Sequence, residues 1–274
     1  MNSKKISKKF LLTLPFVVIT LLFLVVPMIM IFVRSFIPTS GNSIADNWNF
    51  INGFVWKKIL ISLFDAFVTT ILVILISYPF AYYLAFSCSK TMRSISILLI
   101  TAPIWTSFLV KLIGLKTFFD AMNGYENSTT GEIFTIIGLV YLYTPFMILP
   151  LYNTLIELPK NLIFASKDLG RGNFNTFMHV VIPYTKAALF SGITLVFLPS
   201  LTTVAVPQFL NASPSGSLIG DILMEEGQLA LTSDVSLARA SSLSLLLLII
   251  MSIGYATYIL GKYLYNRSKR SYNK

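Results

Sequence analysis

Between Phe10 and Val33 the chain runs for 24 residues without a charged side chain. Wound as an α-helix at about 1.5 Å per residue, that run is roughly 36 Å long, enough to cross a hydrocarbon layer of about 30 Å. Further apolar blocks occupy residues 66–86, 95–115, 133–156, 187–210 and 240–260. With 55% hydrophobic and only 12% charged residues, a soluble fold could not hide this much apolar surface. The expected fold is all-α and integral to the membrane, one domain over residues 1–274 with spans at about 10–33, 66–86, 95–115, 133–156, 187–210 and 240–260. A single block, above all the proline-interrupted fifth, could instead be a buried or re-entrant segment.

Lys4, Lys5, Lys8 and Lys9 precede the first block. A signal peptide starts this way, but this apolar run is longer than a signal core and no small-residue cleavage site follows it, so a retained first span is expected. Placing the N-terminus in the cytoplasm puts 15 of the 21 Lys and Arg on that side with only Glu157 and Asp168 of the 11 acids. The cytoplasmic face then carries the whole positive excess, as the positive-inside tendency requires, and the C-terminus is cytoplasmic as well. Anionic lipid headgroups account for the basic character, and a nucleic-acid partner is not needed. Trp48 and Trp56 in the first outer loop suit the membrane interface. The single cysteine, Cys88, excludes an internal disulfide, and His179 is the only histidine, so no Cys/His metal cluster exists. The chain has no glycine-rich phosphate loop, no Gly-x-Ser-x-Gly and no internal repeat.

The long cytoplasmic loop, residues 157–186, is the most informative polar stretch. Pro159 suits the first turn of a helix, and Lys160–Leu169 contains no helix breaker. Leu162, Ser166 and Leu169 share one face, with Ile163 beside them. Gly170 stands where a helix end often needs a left-handed residue, and Asn173 can cap a second helix. Phe174, Phe177, Met178 and Val181 then form an apolar stripe at helical spacing, ended by Pro183, which starts the fifth span. The expected shape is a helix–turn–helix elbow against the membrane, with Lys167, Asp168, Arg171 and Asn175 facing outward. Ala165 and Ser166 are small enough to admit another surface; an interfacial loop without a partner is the alternative.

ASKDLG at 165–170, followed nine residues on by Val180-Val181-Ile182-Pro183, resembles the coupling loop of ABC-importer permeases, in which Glu-Ala-Ala precedes a glycine and, further on, Ile-x-Leu-Pro. Ala165 and Ser166 fall on the alanines, Gly170 on the glycine and Pro183 on the proline, while Phe164 stands in place of the glutamate. SYPFAYYLAF at 77–86, PIWTSFLVKLIGLK at 103–116, GLVYLYTPFMILPLY at 138–152 and LIGDIL at 218–223 are similar to spermidine/putrescine importer permeases of the PotB type. The resemblance implies a partner set: a second homologous permease, two ATP-binding subunits and an extracellular polyamine-binding protein. It also implies a non-enzymatic chain without a cofactor of its own, in a bacterial cytoplasmic membrane, with ATP and magnesium held by the ATPase subunits. The ATPase-coupling residues would be Ala165, Ser166, Lys167, Asp168, Leu169, Gly170, Arg171, Phe174, Phe177 and Pro183.

A polyamine is a flexible polycation that favours carboxylates, carbonyls and aromatic faces. Candidates for its path are Asp65, Trp105, Tyr143, Thr202, Thr203, Gln208, Asp221 and Glu225. Trimming the second span to 66–86 makes Asp65 an outer helix cap, the favoured reading; within the bilayer it should face a cavity or partner. Trp105 amid Thr106 and Ser107 suits a path or interhelical packing equally. Tyr143, like Tyr78, Tyr82, Tyr83 and Tyr141, reads first as a packing residue. Pro199, Thr202, Thr203, Pro207 and Gln208 interrupt the fifth span, and kinked backbone at membrane depth is tolerated only against protein or a cavity. Asp221 and Glu225 lie four residues apart, with Glu226 adjacent, and could meet the binding protein, gather cations or form a solvated outer face. The leading expectation is a polyamine ABC-importer permease. A permease for another solute (iron, sulfate or an amino-acid-like ligand) is the nearest alternative, and an ATP-independent secondary transporter the more distant one.

Overall fold

The computed structural model describes residues 8–39, 43–122, 128–211 and 218–272. All regular structure among them is helical: α1 (Lys8–Thr20), a π-helical turn (Leu21–Val25), α2 (Val26–Ser35), α3 (Ile44–Asn49), α4 (Gly53–Phe86), α5 (Lys90–Trp105), α6 (Phe108–Ala121), α7 (Ser128–Glu157), α8 (Lys160–Asp168), α9 (Asn173–Thr176), a second π-helical turn (Phe177–Val181), α10 (Ile182–Leu201), α11 (Ala205–Leu210), α12 (Ile219–Leu229) and α13 (Asp234–Tyr272). Lys4, Lys5 and Lys274, used above to orient the chain, lie outside the described residues.

Among the described residues five helical runs are long and apolar enough to span a membrane: Thr13–Ser35, Gly53–Phe86, Thr130–Glu157, Asn173–Leu201 and Asp234–Ala256. The block at 95–115, expected as one span, is divided between α5 and α6, which meet at 101°. The bend falls at Thr106, which is extended, and Ser107, neither of them helical. Pro103 begins the disruption, and the Pro103 carbonyl accepts hydrogen bonds from Thr106 Oγ1 (3.1 Å) and Lys111 Nζ (2.7 Å). Counting the bent pair as one span gives six. The fifth block also breaks: α10 ends at Leu201, and α11 resumes at Ala205. Prolines inside α4 and α7 leave those helices continuous, as membrane helices allow.

The chain forms two compact units, residues 1–54 with 223–274, and residues 55–222. In the first, α13 packs along α2 and α3. Serine and aspartate cap α3 reciprocally, Ser43 N donating to Asp46 Oδ2 at 2.7 Å. Trp48 Nε1 donates to the Ser35 carbonyl (3.2 Å), turning α3 back onto the end of α2. The apolar side chains of α2 and its preceding π-turn are almost all exposed, as a surface in contact with lipid requires.

In the second unit α7 and α10 cross closely. Gly192 makes this possible, because a Cβ there would strike Met147. Val73, Ala81 and Leu84 from α4 join Met147, Leu151, Leu155, Val181 and Val196 in one fully buried cluster. A second cluster unites Leu112 and Phe119 of α6 with Leu139 and Leu142 of α7 and Val206 and Leu210 of α11. Arg93 fastens the turn between α4 and α5, its guanidinium donating to the carbonyls of Leu84 (2.8 Å) and Ala85 (2.9 Å) at the end of α4.

Candidate coupling elbow and transport path

The elbow forms as a left-handed turn between two short arms. Pro159 caps α8 rather than entering its first turn. At the other end the backbone N–H groups of Leu169, Gly170 and Arg171 return to the carbonyls of Ala165 (3.1 Å), Lys167 (2.8 Å) and Ser166 (3.2 Å). Closing those bonds takes Gly170 to φ +79°, a conformation cheap only for glycine. A Cβ at Gly170 would meet nothing within 4 Å, so the requirement is conformational and not steric. Gly172, not Asn173, is the cap of α9, and Asn173 is its first residue.

Two expectations about the second arm change. Pro183 does not end it: α9, the π-turn and α10 form one run of 29 residues from Asn173 to Leu201. The wider hydrogen bonding of the π-turn Phe177–Val181 makes room for the proline ring one residue into α10. The apolar stripe is also split. Val181 is fully buried and Phe177 packs edge-on against Tyr78 (centroids 5.1 Å) and Tyr82 (5.5 Å) of α4, but Phe174 is 70% exposed and Met178 is exposed too.

The first arm is rotated from its expected register. Ile163 and Ser166 are buried, whereas Leu162 and Leu169 face solvent. Ser166 therefore offers no surface to a partner; its hydroxyl lies 3.0 Å from that of Thr176 and joins the arms. Tyr78 and Thr185 are hydrogen-bonded through their hydroxyls, and Tyr184 Oη donates to the Glu157 carbonyl (3.3 Å), fixing the elbow's base. What remains open is a tip of Phe164, Leu169 and Phe174, flanked by Ala165, Lys167, Asp168 and Arg171, all exposed. Such a rigid, apolar tip with charged flanks can seat in a groove on another protein. Of the remaining expected coupling residues, Phe177 points into the fold, and Pro183 is exposed in the first turn of α10.

The path candidates separate into groups. Asp65 is no cap: α4 begins twelve residues earlier at Gly53, because nothing in GFVWKKILISLFD stops a helix, and Asp65 is 5% exposed. Together with Glu132 it lines a cavity beside α4 and the start of α7. Trp105 is 86% exposed at the last residue of α5.

Tyr143, Thr202, Thr203, Gln208 and Asp221 gather around the break between α10 and α11. The Tyr143 hydroxyl lies close to the Thr203 side chain. Thr203 is buried, and Thr202 and Gln208 are exposed. The carbonyls of Thr202 and Thr203 press on Gly220, where any Cβ would collide with them. Asp221 Oδ2 accepts the Leu218 N–H at 2.7 Å. Burial raises the Asp221 carboxyl above its ordinary range, while the Leu218 N–H, the Gln208 side chain and the Lys58 ammonium oppose the rise. The Ile219 N–H donates to Ser62 Oγ of α4 at 2.9 Å, so LIGDIL braces the broken helix against α4.

Glu225 is exposed in the other unit. Its neighbour Glu226 is not part of a solvated face: it is buried and 4.0 Å from Arg239, which in turn lies over the Phe50 ring at 5.3 Å. The sequence reading missed Lys58, Ser62, Glu132 and Gly220. Only Gly220 left a readable trace, inside LIGDIL.

A multi-pass helical chain with a broken inner helix and a braced elbow is the fold of an ABC-importer permease. Residues 74–270 match the family described as binding-protein-dependent transport system inner membrane component, and the chain belongs to that family. It is 43% identical over 246 residues to the spermidine/putrescine transport system permease protein PotB homolog of Mycoplasma pneumoniae, covering 86% of each chain. It is 39% identical to the Mycoplasma genitalium protein of the same name, over 93% of this chain and 92% of that one. Against the spermidine/putrescine transport system permease protein PotB of Escherichia coli the identity is 31%, over 74% of this chain and 80% of the other. A solved structure with the same fold comes from a bacterial ABC transporter involved in the import of the acidic polysaccharide alginate: TM-score 0.69, 14% identity, 96% of this chain and 99% of that one.

Proposed function

We propose that this permease carries a polyamine, spermidine or putrescine, in an ATP-driven importer. One observation carries the cargo: the 43% identity, spread over 86% of both chains, with a relative named for spermidine/putrescine transport. The alginate-importer structure shares only the fold at 14% identity, and fold alone does not choose a cargo. In this reading a second permease completes the path, an extracellular binding protein delivers the polyamine and two ATP-binding subunits hold ATP and magnesium. This chain holds no cofactor and catalyses no reaction.

The elbow is the coupling element, with the termini and the elbow cytoplasmic. The support for that orientation is the concentration of Lys and Arg on one side. Phe164, Leu169 and Phe174 seat in the ATPase. Closure of the ATPase dimer moves α8 and, through the continuous run from Asn173 to Leu201, tilts the helix that breaks at Thr202–Val204. The path is formed around that break by Tyr143, Thr202, Thr203, Gln208 and Asp221, with Asp65 and Trp105 at further positions along it.

The test is reconstitution with the partner permease, ATPase and binding protein in vesicles, measuring uptake of labelled spermidine and putrescine. ATP-dependent uptake of either supports the reading. ATP-dependent uptake of a different solute alone defeats the polyamine cargo, and polyamine uptake without the ATPase defeats the coupling.

A further inference from the structure

Asp65 lies well inside a helix of spanning length and is almost wholly buried. No hydrogen bond or ion pair reaches its carboxyl among the described residues. A carboxylate so placed is costly unless it faces a partner or a cavity. It faces a cavity of about 370 Å3 walled by Phe64, Ile133 and Ile136, into which Glu132 also projects. The two carboxylates repel each other across it. Among the described residues Lys57 is the only ammonium in the lining, and Lys58 is attracted to Asp221 as well as to Glu132.

We propose that this cavity binds an alkylammonium group, its N–H donors on Asp65 and Glu132 and its methylene carbons on Phe64, Ile133 and Ile136. The wall chemistry selects that ligand class. A hard divalent cation takes six or more oxygen ligands, and no group of three or more acidic, histidine or cysteine side chains is placed to hold a metal among the described residues. An ammonium with a hydrocarbon chain needs two or three acceptors and an apolar surface, with a gain from an aromatic face, and the cavity supplies both. Two sources share this chemistry: a polyamine and the headgroup of an aminolipid. Only the polyamine source rests on the cargo proposed above; the site does not.

The test uses the permease–ATPase complex in phosphatidylcholine nanodiscs. Equilibrium binding of labelled putrescine and spermidine is compared for the wild type, Asp65→Asn, Glu132→Gln and the control Asp120→Asn. In a second arm the discs contain phosphatidylethanolamine, and the lipid retained through purification is quantified by mass spectrometry. Loss of one charge-assisted contact should weaken the bound amine or deplete the retained aminolipid by about tenfold in both site variants, with Asp120→Asn unchanged. Loss in the first arm identifies the polyamine as ligand, and loss in the second alone identifies the aminolipid; either supports the site. A wild type that binds no amine and enriches no aminolipid overturns the proposal, as do site variants that bind like the wild type. Should Asp65→Asn fail to assemble, Glu132→Gln, at an exposed position, decides alone. An absence of ATP-driven polyamine uptake would defeat the cargo while leaving this comparison intact.

Discussion

The hydroxyls of Ser166 and Thr176 lie 3.0 Å apart and join the two arms of the elbow where neither side chain meets solvent. This bond ties α8 to the start of the run into α10. A double-mutant cycle with Ser166→Ala and Thr176→Val should give a coupling energy of about 1 kcal/mol. Amide exchange in α8 should quicken about fivefold in Ser166→Ala, the change expected for that energy when opening is local. Additive effects in the cycle would show that the arms are held by Ile163 and Val181 alone.

Gly170 tests the turn itself. Its φ of +79° forbids a β-branched side chain at small cost, though nothing crowds the position. Gly170→Val should cost about 1–2 kcal/mol locally and release the ATPase, while membrane insertion stays normal. Gly170→Asn, which tolerates the left-handed region, should retain most coupling. Co-purification of the ATPase with each variant measures this; equal retention by Val and Asn would mean that the turn's handedness is irrelevant.

Gly220 makes the opposite kind of demand. Its φ is ordinary, but the carbonyls of Thr202 and Thr203 occupy the space of a Cβ. Gly220→Ala should push α12 off the broken helix and lower both the melting temperature and transport, whereas Gly227→Ala, with open space around it, should be neutral or slightly stabilising. Thermal unfolding of the purified complex reads the contrast.

The bend between α5 and α6 depends on Lys111. Its ammonium donates to the Pro103 carbonyl at 2.7 Å, across the angle. Lys111→Met keeps the apolar stem and removes the bond, at a cost of about 1.5–3 kcal/mol for a charge-assisted contact. Spin-label distances between the two helices should broaden in the variant. A distribution as narrow as in the wild type would assign the bend to Pro103 and Thr106.

These cases divide by what a sequence can carry. The spanning helices were legible because length and lack of charge suffice to define them, and the left-handed turn because Gly170 is itself the signature. The bend at Thr106–Ser107 was not: Pro79, Pro145 and Pro150 lie in unbroken helices, so a proline within an apolar block does not say whether the block folds back. Ser166 looked like room for a partner because its neighbour Thr176 is ten residues away. Asp65 looked like a cap because the apolar block seemed to start after it, although Lys57 and Lys58 are carried inside the helix. Glu132 met Asp65 only through the packing of α4 on α7, which no local pattern encodes.

Asp221 supplies a pH test whose sign follows from its surroundings. Burial raises its carboxyl above the ordinary value despite the Leu218 N–H, Gln208 and Lys58, so the folded chain holds this proton more tightly than the unfolded chain does. Where the folded group is protonated and the unfolded one is not, stability falls as pH rises. This contribution is therefore lost from the ordinary carboxylate range up to the raised value, and is constant above it. Asp221→Asn keeps an oxygen for the Leu218 N–H and removes the charge. It should flatten that portion of the stability–pH profile and leave the complex at neutral pH at least as stable as the wild type. Thermal unfolding across the acidic range measures both; a variant less stable at neutral pH, whose profile has lost a rise of stability with pH and not a fall, would mean that the carboxylate is held by Lys58 more strongly than burial opposes it.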